Sequence, residues 1–189
     1  CQGRRLNASR NASQVSEMPQ PGDIGFAHSD GIFGKLIRFG ERIRFGEKPS
    51  HWNHAFIVDR VVMEGSITDG TATFKTYIIQ AEPTGVTNDK LIESVGSYTI
   101  IEPTPDMSRK DILAFARAQV GSKYGWGSIA SVAIDIISPN WWPSFRRRGT
   151  WICSALVGEA VRYGGFLAPW PDIYTVTPAQ LFTAITNTR

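Results

Sequence analysis

Trp151-Ile152-Cys153-Ser154-Ala155-Leu156-Val157 places one of the chain's two cysteines at the head of an apolar run that continues to Tyr163 and meets Gly164-Gly165. The pattern predicts a helix over 151–163, stopped by the glycine pair, with Cys153 in its first turn. A thiol there sits among backbone N–H groups that have no partner inside the helix and at the positive end of the helix dipole. Both favour the thiolate. The same N–H groups are able to line an oxyanion hole when a thiolate attacks a carbonyl. The plainer alternative is a buried structural cysteine. What separates the two is whether the rest of the chain supplies a base.

A thiol nucleophile needs an imidazole within hydrogen-bond reach to take its proton, and the chain has three histidines. His54 heads the alternating run His54-Ala55-Phe56-Ile57-Val58, which predicts a strand holding the ring at a sheet end. His28 reads as a solvated loop residue. A third group should accept the imidazole's other N–H and fix its tautomer. Gln80 and Glu82 lie two apart in the strand predicted over Thr76–Glu82 and so share one side. Either serves: a glutamine oxygen orients the ring without charge, while a carboxylate also stabilises the imidazolium. His51-x-x-His54 together with Cys153 hints at zinc. A spacing of three at a strand entry does not converge both rings, however, and no fourth ligand has motif spacing, so no metal and no cofactor are expected.

Around these residues the chain divides simply. Residues 1–20 are polar and basic, carry the triplets Asn7-Ala8-Ser9 and Asn11-Ala12-Ser13, and read as an arm or linker; residues 21–189 read as one domain. Pro21-Gly22-Asp23 is a turn before a short strand, Ile24-Gly25-Phe26-Ala27. Gly31 to Phe45 has the apolar spacing of an amphipathic helix. Strand runs follow at 54–62, 73–81 and 97–101, with Thr68-Asp69-Gly70-Thr71 connecting the first two as a hairpin. Ser108 and Asp111 open a helix that Gly121 stops. A second helix is predicted over 128–137, and Thr177-Pro178-Ala179-Gln180-Leu181 opens the last with proline in its first turn. Strands and helices segregate, which predicts an α+β domain with an antiparallel sheet.

Composition narrows the class without naming a function. With 42% hydrophobic and 20% charged residues, the 189-residue chain has the balance of a folded domain. Two cysteines allow one bridge at most, so this is no disulfide scaffold. The longest apolar stretch, Ile129 to Ile137, is broken by Ser131 and Asp135 and falls well short of the roughly 20 residues a membrane span needs. A net charge of +3 suits an anionic surface only weakly, and no nucleic-acid partner is expected. Cys1 at the start suggests a processed or trimmed N-terminus, with a lipidated lipoprotein cysteine among the readings.

Taken in order, several motifs resemble the permuted branch of the NlpC/P60 superfamily of papain-like cysteine peptidases, the branch that also includes lecithin:retinol acyltransferase-like enzymes. Pro21-Gly22-Asp23-Ile24-Gly25-Phe26 is similar to the family's opening strand, Gly34-Lys35-Leu36-Ile37 to its first helix, and Ser50 through Val58 to its histidine strand. Ile78-Ile79-Gln80-Ala81 and Gly85-Val86 resemble the next strand. Gly121-Ser122-Lys123-Tyr124-Gly125-Trp126 resembles the segment that precedes the cysteine helix, Cys153-Ser154-Ala155-Leu156-Val157 that helix, and Thr177 through Leu181 the tail. The resemblance implies a papain-like fold, circularly permuted so that the histidine precedes the cysteine, with an antiparallel sheet packed against helices.

It also implies roles. Cys153 is the nucleophile and His54 the base; the register before Ala81 favours Gln80 as third residue, although the family more often has an acidic one, which keeps Glu82 open. Tyr124 lies near the oxyanion site and, with Trp126 and Trp52, binds substrate. A departure is the insertion over 138–149, whose Trp141-Trp142 and Arg146-Arg147-Arg148 either bind substrate or an anionic surface or form a solvated loop. The activity implied is a cysteine amidase or endopeptidase acting on peptidoglycan stem peptides at the cell envelope, in secretion or on a virion. Acyl transfer to or from lipids is the rival enzyme class, and a non-catalytic envelope or virion module the third reading.

Overall fold

Alternation in Ala55-Phe56-Ile57 and Ile78-Ile79-Gln80-Ala81 produces a sheet with two buried faces. The computed structural model describes residues 18–28, 51–125 and 150–188. Within them five antiparallel strands form one sheet: β1 (Ile24–His28), β2 (His54–Glu64), β3 (Thr73–Glu82), β4 (Gly85–Leu91) and β5 (Ser97–Ile101). Their spatial order is β4-β3-β2-β1-β5. On one side Ile24, Phe26, Ala55, Ile57, Ile79 and Ala81 pack with residues of three helices, α1 (Arg109–Ala118), α2 (Cys153–Tyr163) and α3 (Pro178–Asn187). On the other, Ala27, Phe56 and Ile78 close over Ile92 and Val95 of a short 3-10 turn. The molecule is thus an α+β arrangement with an antiparallel sheet and helices.

Strand register is fixed by close approach. Gly25 pairs with Phe56 across β1 and β2, and a Cβ at position 25 would lie 2.0 Å from the Phe56 ring, so only glycine fits there. Further along β2 the pairing with β3 shifts between Val58 and Arg60. Asp59 in this bulge is buried, and its carboxylate accepts from Arg117 Nε at 2.7 Å while its carbonyl accepts from Arg117 Nη2 at 3.0 Å, tying β2 to α1. Arg109 forms an ion pair with buried Asp23, and the Gly22 N–H donates to Val58 O at 2.8 Å. The Pro21-Gly22-Asp23 turn is therefore fastened to both sheet and helix.

Helix ends follow their sequence signals. Ser108 caps α1 by accepting from the Asp111 N–H at 3.2 Å, and Thr177 with Gln180 forms a full capping box on α3, with Pro178 in the first turn. Two expectations change. Trp151 is not helical: Thr150–Trp151 (β7) pairs in parallel with Lys123–Tyr124 (β6), and the helix begins at Cys153. Residues 85–91 form a strand of their own because the 82–85 turn, with Gly85 at φ +124°, sends the chain back along β3. The helices expected over 31–45 and 128–137, residues 1–17 of the arm with Cys1, Trp126, Trp141-Trp142 and Arg146-Arg147-Arg148 lie outside the described residues. No described helix is long and apolar enough to cross a membrane.

Candidate active site

Cys153 is the first residue of α2, and its free thiol is buried at the helix N-terminus. Ile152 before it is extended and offers no side-chain cap, so the first amides of the helix remain available. The backbone N–H groups of Ser154, in the same turn, and of Ala55, in β2, donate to the sulfur. His54 is the opening residue of β2, where it pairs with Ala27, and its imidazole hydrogen-bonds the Cys153 side chain. The two residues, 99 apart in sequence, meet here.

Hydrogen-bond chemistry fixes the remaining protons. Beyond the Ile57–Ile79 pair, antiparallel β2 and β3 carry His54 and Gln80 to the same end of the sheet. His54 Nε2 lies 2.7 Å from Gln80 Oε1, and Gln80 Nε2 donates to Glu82 Oε1 at 2.9 Å. An ionised carboxylate only accepts, so the Gln80 amide must turn its NH2 toward Glu82 and its oxygen toward the ring. The oxygen in turn requires a proton on His54 Nε2. That leaves Nδ1 to face the thiol.

The electrostatics favour a charged pair. For Cys153, burial is the largest influence and pushes the thiol up, but it is outweighed by the hydrogen bond and charge of His54 and by the amides of Ala55 and Ser154, which together hold the thiol below its ordinary range. For His54, burial again weighs most and pushes down. The Cys153 hydrogen bond and charge, the Gln80 hydrogen bond and the Glu82 charge together lift the imidazole above its usual value. Thiolate and imidazolium are mutually stabilised. Tyr124, in β6, is held well above the usual phenol range by burial first and then by the charges of Cys153 and Glu82. Its hydroxyl stays protonated close to both anions.

The structure brings Cys153, His54, Gln80, Glu82 and Tyr124 together. Trp52, partly buried, packs instead against Phe182 with ring centroids 5.8 Å apart and against His51 at 4.6 Å. Trp126 lies outside the described residues. His28 is corrected from a solvated loop residue to the last residue of β1; its Nδ1–H donates to His51 O at 2.9 Å. Among the described residues no group of three or more His, Cys, Asp or Glu side chains is arranged to hold a metal ion. Sequence reasoning missed the Ala55 amide, whose aim at the sulfur depends on how α2 crosses the start of β2 and leaves no mark in residue type. It also set Gln80 against Glu82 as alternatives, whereas the two are hydrogen-bonded in series, Glu82 to Gln80 and Gln80 to His54. No protein-family model matches the chain, and no curated protein matches it either.

Proposed function

We propose that the chain is a cysteine-dependent amidase or endopeptidase with a papain-like, circularly permuted fold, acting on peptide-type amides with peptidoglycan stem peptides as the substrate class. The observation that carries this reading is the contact of the buried Cys153 thiol with the half-buried His54 imidazole, with the thiol lowered and the imidazole raised against the opposition of burial. A purely structural cysteine has no need of an imidazole, two amides and an oriented third group.

In this mechanism the Cys153 thiolate attacks the carbonyl carbon, forming a C–S bond and placing negative charge on the oxygen. The Ser154 N–H, in the turn of the nucleophile, and the Tyr124 hydroxyl serve as the donors to that charge. Collapse breaks the C–N bond as the His54 imidazolium gives its Nδ1 proton to the leaving amine. Water then attacks the thioester, His54 takes a proton from it, and cleavage of the C–S bond returns the thiolate and releases the acid. Gln80 keeps the ring in the tautomer both steps need.

The test is incubation with purified peptidoglycan fragments followed by mass spectrometry, with Cys153→Ala as control. Release of a peptide or amino-acid product by the unaltered chain alone is the expected result. Transfer of the acyl group to an added amine or alcohol without free acid would assign a transferase, and no product with any amide or ester substrate would refute the enzymatic reading.

A further inference from the structure

Gln80 is 1% exposed, and the hydrogen-bonding capacity of its amide is divided between two partners of opposite demand, a ring N–H and a carboxylate. A primary amide has no intrinsic preference for which end faces which neighbour, because oxygen and NH2 are nearly the same size. If it turned over, the NH2 would face His54 Nε2, which would have to give up its proton and become the acceptor. The proton would then reside on Nδ1, and a neutral ring in that tautomer cannot accept the thiol proton. A buried glutamine alone is therefore an ambiguous orienter. Something must choose between its two orientations.

We propose that Glu82 makes that choice: it is a positioning residue that acts on His54 through the Gln80 amide, so that the third member of the site is a two-residue relay, Glu82–Gln80–His54. The proposal rests on the Cys153–His54 reading above. Its basis is geometric. Gln80 and Glu82 are adjacent residues on one side of β3, the amide–carboxylate bond is 2.9 Å, and the amide–imidazole bond is 2.7 Å. An ionised carboxylate beside the wrong end of the amide would set oxygen against oxygen, so the flipped state is penalised twice, by a lost hydrogen bond and by repulsion. The carboxylate also adds its negative charge at one remove from the imidazolium. It does so without taking the ring proton itself, since the glutamine stands between them. Among the described residues the titratable groups that act on His54 are Cys153 and Glu82, and Tyr124 in turn feels the charges of both. Glu82 accepts directly from the orienting amide.

The experiment uses the full chain carrying Cys1→Ser, so that Cys153 is the sole thiol, and follows its alkylation by iodoacetamide from pH 5 to 10. The 15N spectrum of the His54 imidazole is recorded alongside, to report which ring nitrogen holds the proton. Glu82→Ala should slow alkylation at pH 6.5 by about 10-fold, the change that one pKa unit at the pair produces, should leave the rate at pH 10 nearly unchanged, and, at the alkaline end where the ring is neutral, should move its proton from Nε2 to Nδ1. Glu82→Gln, which keeps an acceptor but not the charge, should move the alkylation profile in the same direction by less, and it decides the matter if Glu82→Ala does not fold. The exchange variant, Gln80→Glu with Glu82→Gln, offers His54 a carboxylate directly while the amide at position 82 donates to it. It should restore the pH 6.5 rate to within a few-fold.

An unchanged profile and ring spectrum in both single variants would overturn the relay, as would an exchange variant no better than Glu82→Ala. In either case low-pH alkylation of the unaltered chain would leave the Cys153–His54 reading standing. Absence of that low-pH reactivity in the unaltered chain would remove the parent reading and the relay together.

Discussion

Replacing Cys153 by serine should change the shape of the stability–pH curve on its alkaline side, and the size of the change follows from counting protons. His54 has its folded value raised, so its contribution is fully present below the unfolded imidazole value and is lost as pH rises through the folded one. Cys153 has its folded value depressed, so its contribution is present above the unfolded thiol value and is lost as pH falls through the folded one. Between about 6.5 and about 8.5, the unfolded values, the two slopes oppose and native and unfolded states each hold one proton. Stability is flat there. Above about 8.5 the unfolded pair holds none while the native imidazolium keeps its proton, so stability falls by up to about 1.4 kcal/mol per pH unit. In Cys153→Ser the histidine loses its thiolate, burial prevails, and the ring is neutral in both states above about 6.5; the pair then contributes no alkaline slope. Tyr124 is raised by burial first, which both proteins share, and contributes only where the unfolded phenol ionises near 10. Urea denaturation in a Cys1→Ser background between pH 5 and 9.5 reads the difference. Parallel curves above pH 8.5 would refute the thiolate–imidazolium assignment.

His54→Ala should slow alkylation of Cys153 at pH 6.5 by about 100-fold, because an ordinary thiol near 8.5 is only about 1% ionised there, while rates at pH 10 converge; equal rates at pH 6.5 would exclude His54 as the thiol's partner. Gly25→Ala should destabilise the fold by about 3 kcal/mol or more in chemical denaturation, since the added Cβ falls 2.0 Å from the Phe56 ring in a filled core. Thr177→Ala should cost about 1 kcal/mol through loss of the capping box on α3, with Thr177→Ser restoring most of it.

Much of the site was legible because its chemistry demands unusual residues at structurally marked places. A cysteine at a helix start and a histidine at a strand start are both recognisable from local pattern, and the spacing of two between Gln80 and Glu82 put them on one side of β3 before any contact was known. What stayed hidden is long-range. Trp151 has the hydrophobic character of the helix that follows it, and only the partner segment at 123–124 makes it a strand. His28 is followed by the polar Ser29 and Asp30, yet β5 pairs with β1 through its position, opposite Ser97, and extends the strand to include it. Hydrogen bonding in series is equally invisible, since whether two adjacent polar side chains compete for a histidine or share it depends on their distances.

The same contacts that specify the sheet also specify the site. A one-residue slip of β2 against its neighbours would exchange its two faces, sending Phe56 toward the helices and Ala55 toward the 3-10 turn. His54 would be carried off the side that Gln80 and Glu82 occupy. The slip is opposed at three points: the Phe56 ring has room only against Gly25, the bulge puts Asp59 where Arg117 can reach it, and the Gly22 N–H is held by Val58 O. None of these touches the thiol. Cys153, arriving on α2, is located by a separate set of contacts, the packing of Leu156, Val157 and Ala160 in the helical core. A thiol and an imidazole so distant in sequence therefore meet only when both sets are satisfied, and their contact is set by the fold's register, with the core rather than the pair supplying the stability that holds them together.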